Sequence, residues 1–158
     1  MKNDFIKKNE NPQNKRIGDC VLRAFTSMTR MDYEDVKKEI LKYGSYYYGI
    51  NFDKFAKEIG LVKISQHRTN LSTQNRVGHL CKNYGIDAIA ITNNHACYIN
   101  KNGATVDTWD SRNKRPRYTY IWKDDAEMIG LDVEDRVVTD DITLVGNDKI
   151  KISKKNRG

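Results

Sequence analysis

A cysteine, a histidine and an aspartate, the residue types that together support acyl transfer, occur in that order along this chain. A thiol in the first turn of a helix faces the positive end of the helix dipole and unpaired backbone N–H groups, which favours the thiolate. Cys20 has this position, because Asp19 is a competent N-cap in front of an apolar helical pattern. We therefore take Cys20 as the candidate nucleophile of a covalent mechanism.

A thiolate mechanism also needs an imidazole that shares the proton and a third group that orients the imidazole. His95 begins a predicted strand, and Asp107 and Asp110 lie on the strand that returns from the hairpin signal at 100–103. A two-residue turn would place Asp110 opposite His95, whereas a longer loop brings Asp107 nearer. We favour Asp107 and keep Asp110 as the alternative.

The elements that must position these residues fall into two halves with different periodicities. Before residue 86 apolar residues recur at helical spacing in four segments, and from residue 87 they alternate with period two. The first half therefore predicts helices and the second half predicts strands. The predicted elements are helices that begin after Asp19, after Asp32, near Phe52 and after the cap Ser72, and strands over 61–65, 88–91, 95–99, 104–109 and 118–122.

The remainder of the chain carries weaker signals, with a helical patch predicted at 125–129 and strands at 142–145 and 149–152. The fold class that follows is α+β, in which N-terminal helices carrying the cysteine pack on a C-terminal antiparallel sheet carrying the histidine. The predicted organisation is a flexible arm at 1–16, a single domain at 17–152 and a basic tail at 153–158.

Composition restricts the class of protein. The chain has 158 residues, and its 28 Lys and Arg against 21 Asp and Glu give a formal net charge of +7 with a mean hydropathy of −0.78. No apolar run approaches the roughly 20 residues that span a bilayer, and the N-terminus lacks the apolar region of a signal peptide. Phosphate-loop, Rossmann and zinc-deaminase fingerprints are absent. We expect a cytoplasmic protein with free thiols and without membrane, metal or cofactor.

Three short motifs around the candidate residues resemble a known superfamily. Residues 18–25 (GDCVLRAF), 95–99 (HACYI) and 107–109 (DTW) resemble the nucleophile helix, the histidine strand and the Asn-Ser-Trp segment of the papain-like cysteine peptidases. The pairing of Asp-Cys-Val-x-Arg-Ala with a later Asp-Thr-Trp-Asp is similar to small, mostly uncharacterised phage and prophage proteins of that fold. The resemblance covers about residues 14–122 and implies a papain-like fold.

The resemblance also implies a role for each matching residue. Cys20 is the implied nucleophile, His95 the implied general base, and Asp107 the residue that orients His95. The family's oxyanion glutamine lies six residues before the nucleophile, where this chain has Asn14 with Gln13 beside it. Either side-chain amide could serve in that role.

Trp109 matches the family's tryptophan and is a candidate for the substrate cleft, whereas Asp110 and Val21 stand where the family has Gly and Trp. The implied activity is that of a peptidase, isopeptidase or amidase that forms a thioester at Cys20. Deamidation and transglutamination would use the same residues. The implied partner is a protein or peptide, and the phage resemblance indicates a bacterial host protein.

A non-enzymatic binding module is the alternative function. The basic stretch 112–117 precedes Tyr118, Tyr120 and Trp122, which lie on one face of a predicted strand. Basic groups beside stacking platforms suit single-stranded nucleic acid, and the net positive charge also suits an acidic protein partner. The simpler interpretation is a solvated loop followed by core aromatics.

A metal site is a further alternative for the same strand. Cys97 lies two residues after His95 on the same strand face, so Cys20, His95, Cys97 and an aspartate could form a tetrahedral set. No Cys-x-x-Cys or His-x-x-x-His spacing supports such a site. We therefore expect no metal, and we expect Cys81 to be a core residue.

Overall fold

A computed structural model describes residues 4–15, 17–64, 71 and 73–134 of the chain. In this part, helices and strands form one α+β arrangement around a single sheet. The helices are α1 (Cys20–Thr29), α2 (Tyr33–Leu41), α3 (Gly49–Glu58), α4 (Gln74–Tyr84) and α5 (Lys123–Ile129). The strands are β1 (Phe5–Lys7), β2 (Leu61–Ile64), β3 (Ala88–Ile91), β4 (Ala96–Ile99), β5 (Thr105–Asp107), β6 (Tyr118–Trp122) and β7 (Val133–Glu134).

The sheet is mixed, in the order β1-β5-β4-β3-β6-β2-β7. The pairing of β1 with β5 is parallel, and the other pairings are antiparallel. This corrects the prediction of a purely antiparallel sheet, and it corrects the flexible arm at 1–16 because residues 5–7 form β1. A three-residue strand is too short to show alternation in the sequence, and its pairing depends on a partner about 100 residues away.

The predicted helices are confirmed where the structure describes them. The helix near Phe52 begins earlier than predicted, at Gly49, and the patch predicted at 125–129 extends back to Lys123. Thr73 caps α4, with its hydroxyl accepting a hydrogen bond from the backbone N–H of Arg76. The predicted cap Ser72, the strands predicted at 142–145 and 149–152 and the tail at 153–158 lie outside the described residues.

The sheet separates two hydrophobic clusters, because alternate residues of its strands point to opposite faces. Ile89 and Ile91 of β3 pack with α1, α2 and α3, whereas Ala88 and Ala90 of the same strand pack with α4 and α5. β3 therefore lies in the middle of a three-layer structure, which accounts for its uninterrupted apolar sequence. No helix in the described ranges has the length and apolar character needed to cross a membrane.

The hairpin between β4 and β5 sets the register of the candidate site. Ile99 pairs with Thr105, and the chain turns through the loop 101–103. Gly103 has φ +86°, and a Cβ there would lie 2.6 Å from the carbonyl oxygen of Gly78 on α4. Glycine is required at this close approach. Continuing the register places Asp107 opposite Cys97, as the longer of the two predicted turns requires.

Candidate active site

His95 and Asp107 form a buried pair at one end of the sheet. His95 immediately precedes β4 and Asp107 is the last residue of β5, so the antiparallel hairpin brings them to the same end. His95 Nε2 lies 2.6 Å from Asp107 Oδ2, and both side chains are almost fully buried. A carboxylate in this position fixes the orientation and tautomer of an imidazole. The other ring nitrogen, Nδ1, forms no well-aligned hydrogen bond with the described residues.

Cys20 faces His95 from the first residue of α1, and α1 packs against β4. Burial of the ring lowers the pKa of His95, but the charge of Cys20 and the hydrogen bonds to Asp107 and Cys20 raise it more, to about 10. Because Asp107 occupies Nε2, Nδ1 is the nitrogen left for the thiol. An imidazolium beside a cysteine at a helix start stabilises the thiolate form, which is the nucleophile.

Asp107 has further partners that the sequence analysis did not identify. Its Oδ2 accepts a hydrogen bond from Ser111 Oγ at 2.6 Å, and its Oδ1 accepts one from the backbone N–H of Thr108 at 2.8 Å. The guanidinium Nη2 of Arg23 lies 3.8 Å from Oδ1. These contacts hold the carboxylate that orients His95. Nothing in the sequence indicates Ser111, because it lies in an irregular segment after β5.

Asp19 is the N-cap residue of α1, as predicted, but its side chain is fully buried and makes no capping hydrogen bond. Its carboxylate instead pairs with Arg23 Nη1 and accepts hydrogen bonds from Tyr33 Oη at 2.6 Å and Asn11 Nδ2 at 3.0 Å. A buried guanidinium needs compensating charge. Arg23 therefore bridges Asp19 and Asp107, and it links α1 to the hairpin of β4 and β5. The i,i+4 spacing of Asp19 and Arg23 is the sequence signal that could have identified this pair.

Asp110, the alternative orienting acid, is exposed and pairs with Arg112 instead. Arg112 Nε lies 2.8 Å from Asp110 Oδ1 and Nη2 lies 2.7 Å from Oδ2, and these hydrogen bonds lower the pKa of Asp110. Trp109 is half-buried, and its ring centroid lies 5.0 Å from that of His95. Trp109 therefore packs on the imidazole, and the structure pairs Asp107 rather than Asp110 with His95.

The two candidate oxyanion amides lie in a turn between β1 and α1. Asn11 orders this turn, because its Oδ1 accepts the backbone N–H of Gln13 and its carbonyl accepts that of Asn14, both at 2.8 Å. Asn14 has φ 55°, a left-handed conformation that asparagine tolerates better than most residues. Both amides are exposed. Asn14 lines a cleft together with Thr108, whereas Gln13 is not part of that lining.

The thiols of Cys81 and Cys97 are buried away from solvent. Burial raises the pKa of Cys81 and of Cys97, so both stay protonated at neutral pH. Cys97 donates a hydrogen bond to Gln74 Oε1 at 3.2 Å. Within the described ranges, no group of three His, Cys, Asp or Glu side chains is arranged to hold a metal ion.

The aromatic strand does not present a stacking surface. Tyr118 and Tyr120 are buried and Trp122 is half-buried, because β6 lies between β3 and β2 with helices on both faces. Bases cannot stack on Tyr118 and Tyr120 without opening the core. The aromatic part of the nucleic-acid hypothesis is therefore wrong, although Arg115 and Arg117 are exposed.

Comparisons with known proteins do not extend this description. No protein-family model matches the chain, and neither a curated protein nor a solved structure matches it.

Proposed function

We propose that the protein is a papain-like cysteine hydrolase, a peptidase, isopeptidase or amidase, that acts by acyl transfer at Cys20. The observation that carries the proposal is the 2.6 Å contact of His95 Nε2 with Asp107, which leaves Nδ1 for the thiol at the start of α1. A thiol, an imidazole and an orienting carboxylate are the groups that covalent acyl transfer requires.

The reaction begins when His95 holds the proton of Cys20 and the thiolate sulfur attacks an amide carbonyl carbon. The resulting oxyanion is stabilised by backbone N–H groups at the start of α1, with Asn14 or Gln13 as the upstream amide. His95 then donates its proton to the leaving amine as the C–N bond breaks, and a thioester remains. Water attacks the thioester with His95 as base, which releases a carboxylic acid and restores the thiol.

The same steps allow other outcomes, depending on what reaches the thioester. An amine that replaces water gives transamidation, and a glutamine side chain as substrate gives deamidation. The resemblance to phage and prophage proteins favours a bacterial host protein as substrate, in the cytoplasm. Expression in bacterial cells tests this part of the proposal. Cleavage or deamidation of a host protein by the wild type, but not by the Cys20→Ala variant, identifies the substrate.

Site-resolved alkylation by iodoacetamide tests the chemistry without a known substrate. We expect Cys20 to react at pH 6, well below the ordinary thiol pKa of about 8.5. The His95→Ala variant should lower that rate by about a hundredfold, because the imidazolium that stabilises the thiolate is lost. Mass spectrometry assigns the reaction to each cysteine, and Cys81 and Cys97 serve as internal controls. A native Cys20 that reacts no faster than these two would overturn the proposal.

A further inference from the structure

A polar cleft of about 370 Å³ lies beside the candidate active site, lined by Lys7, Lys8, Asn9, Asn14 and Thr108. Its walls come from the end of β1, the turn that follows it and the residue after β5. The lining contains two cationic side chains and no acidic one. Its chemistry is therefore suited to an anion.

The cleft adjoins the main chain of the acid in the candidate site. The backbone N–H of Lys8 donates to the carbonyl oxygen of Asp107 at 2.8 Å, and Lys7 is the parallel-strand partner of Asp107. Thr108 follows Asp107 directly, and its backbone N–H donates to Asp107 Oδ1. The cleft is thus connected to the candidate site through the main chain at Asp107.

Several groups in the lining have hydrogen-bonding capacity that the protein does not use. Lys7 forms no ion pair with any described residue, and the exposed side-chain amide of Asn14 forms no hydrogen bond within the same ranges. Thr108 is only 7% exposed, and its Oγ1 is buried without a hydrogen-bond partner among the described residues. Because this hydroxyl is enclosed by the protein, Thr108 contributes to the wall of the cleft and not to its hydrogen-bonding groups.

The charge at Lys8 is not neutralised by a close contact. Its acidic neighbour, Glu10, accepts a hydrogen bond from Ser27 and acts on Lys8 only through a longer-range electrostatic interaction. Asn9, by contrast, is occupied within the turn, because its amide donates to the carbonyl of Lys15 and accepts from Asn11. The groups left for an anion are therefore the two lysines and the amide of Asn14.

We propose that this cleft is a specificity subsite for a carboxylate side chain, an aspartate or glutamate close to the scissile amide of the protein substrate. The proposal rests on the proposed acyl-transfer function, and it adds the class of substrate that the enzyme selects. Lys7 and Lys8 supply the charge that attracts the carboxylate, and the side-chain amide of Asn14 supplies a hydrogen-bond donor.

Two matched affinity labels test the subsite: bromoacetyl-Gly-Glu-amide and bromoacetyl-Gly-Gln-amide, which differ in one charge. The rate at which each alkylates Cys20 is measured at pH 6.5 and 0.15 M salt, with iodoacetamide as a third, uncharged reagent. We expect the glutamate label to react about tenfold faster than the glutamine label, since two exposed charge contacts together contribute about 1.4 kcal/mol. The Lys7→Gln, Lys8→Gln double variant should bring the ratio close to one.

A second double variant, Lys38→Gln with Lys54→Gln, removes the same charge from exposed positions on α2 and α3. It should leave the ratio unchanged.

The outcomes separate the subsite from the proposed function. An equal rate for the two labels, or an equal loss of preference in both double variants, overturns the subsite while rapid iodoacetamide reaction of Cys20 still supports the enzyme. If Cys20 does not react with iodoacetamide at this pH, the proposed function and the subsite both fall.

Discussion

Two buried ionic clusters lie in the described part of the chain, and only one of them contains a thiol and an imidazole. The first, here called the Asp53 cluster, consists of Asp53, Lys57, Lys63 and Tyr120. Asp53 Oδ1 accepts hydrogen bonds from Lys63 Nζ at 3.1 Å and Tyr120 Oη at 2.6 Å, and Lys57 Nζ lies 3.2 Å from Oδ2. Burial raises the pKa of Tyr120, so its hydroxyl keeps its proton. This cluster joins α3 to β2 and β6.

The second, here called the His95 cluster, consists of Cys20, His95, Asp107, Arg23 and Asp19. Like the Asp53 cluster, it contains carboxylates paired with a cation, but it also contains a thiol and an imidazole. One nitrogen of the imidazole forms no well-aligned hydrogen bond within the described ranges. Burial of charge is therefore not by itself a sign of function. The distinguishing feature is a thiol beside an imidazole, the pair between which the proposed function moves a proton.

The largest expected effect comes from removing a cation from the Asp53 cluster. Lys63→Met leaves Asp53 buried with one fewer cation, and we expect the free energy of unfolding to fall by about 3–5 kcal/mol. Denaturant unfolding measures this loss, whereas the alkylation rate of the folded variant at Cys20 should stay within about twofold of the wild type.

Lys57→Met is the matched control, because Lys57 pairs with the same carboxylate but its side chain is 49% exposed. An exposed pair contributes little, so the loss should stay below about 1 kcal/mol. Slow alkylation of Cys20 in the folded Lys63→Met variant would show that the two clusters are coupled, and it would contradict the comparison.

The next effect, about a hundredfold, comes from the acid of the His95 cluster. Asp107→Ala removes the group that orients the imidazole, and we expect the rate of Cys20 alkylation at pH 6 to fall by that factor. Asp110→Ala removes an equal charge three residues later, from an exposed pair with Arg112. Its rate should stay within about twofold, and circular dichroism of both variants controls for folding. An equal fall in rate for the two variants would contradict the choice of Asp107 over Asp110 as the residue that orients His95.

The sequence was sufficient to predict three residues that the structure brings together, Cys20, His95 and Asp107, and most elements that carry them. Helical spacing predicts α1 with Cys20 in its first turn, and alternation predicts the strands beside His95 and Asp107. The requirements of thiol chemistry then relate residues that are far apart in sequence. Hairpin signals left the choice between Asp107 and Asp110 open, because the register depends on a loop length that side-chain patterns do not determine.

The supporting contacts could not be predicted in the same way. Ser111 and β1 depend on tertiary contacts that leave no local pattern, and the parallel pairing of β1 with β5 joins the two ends of the described chain. Asp19 has the residue type of an N-cap, yet its side chain is drawn into the ion pair with Arg23. Local propensity was outweighed there by the need to compensate a buried guanidinium.

The smallest expected effect concerns the dependence of stability on pH, which sharpens the contrast between the clusters. The pKa of His95 rises from 6.5 to about 10 in the folded protein. A raised pKa stabilises the fold fully below the unfolded value of about 6.5, and this contribution is lost as the pH rises through about 10. In the unfolded chain a free thiol also holds its proton up to about pH 8.5. If folded Cys20 is a thiolate, the proton that the thiol holds only in the unfolded chain offsets the proton that His95 holds only in the folded protein. The stability of the fold is then lost between pH 8.5 and 10.

One additional proton in the folded state corresponds to about 1.4 kcal/mol for each pH unit. We therefore expect wild type to lose about 2 kcal/mol relative to the His95→Gln variant between pH 8.5 and 10, and almost nothing relative to it between pH 6.5 and 8.5. Buried tyrosines and the other thiols titrate alike in both proteins, so the difference in denaturant unfolding isolates the pair. A loss that begins at pH 6.5 would mean that folded Cys20 carries its proton, and the His95 cluster would then be as inert as the Asp53 cluster.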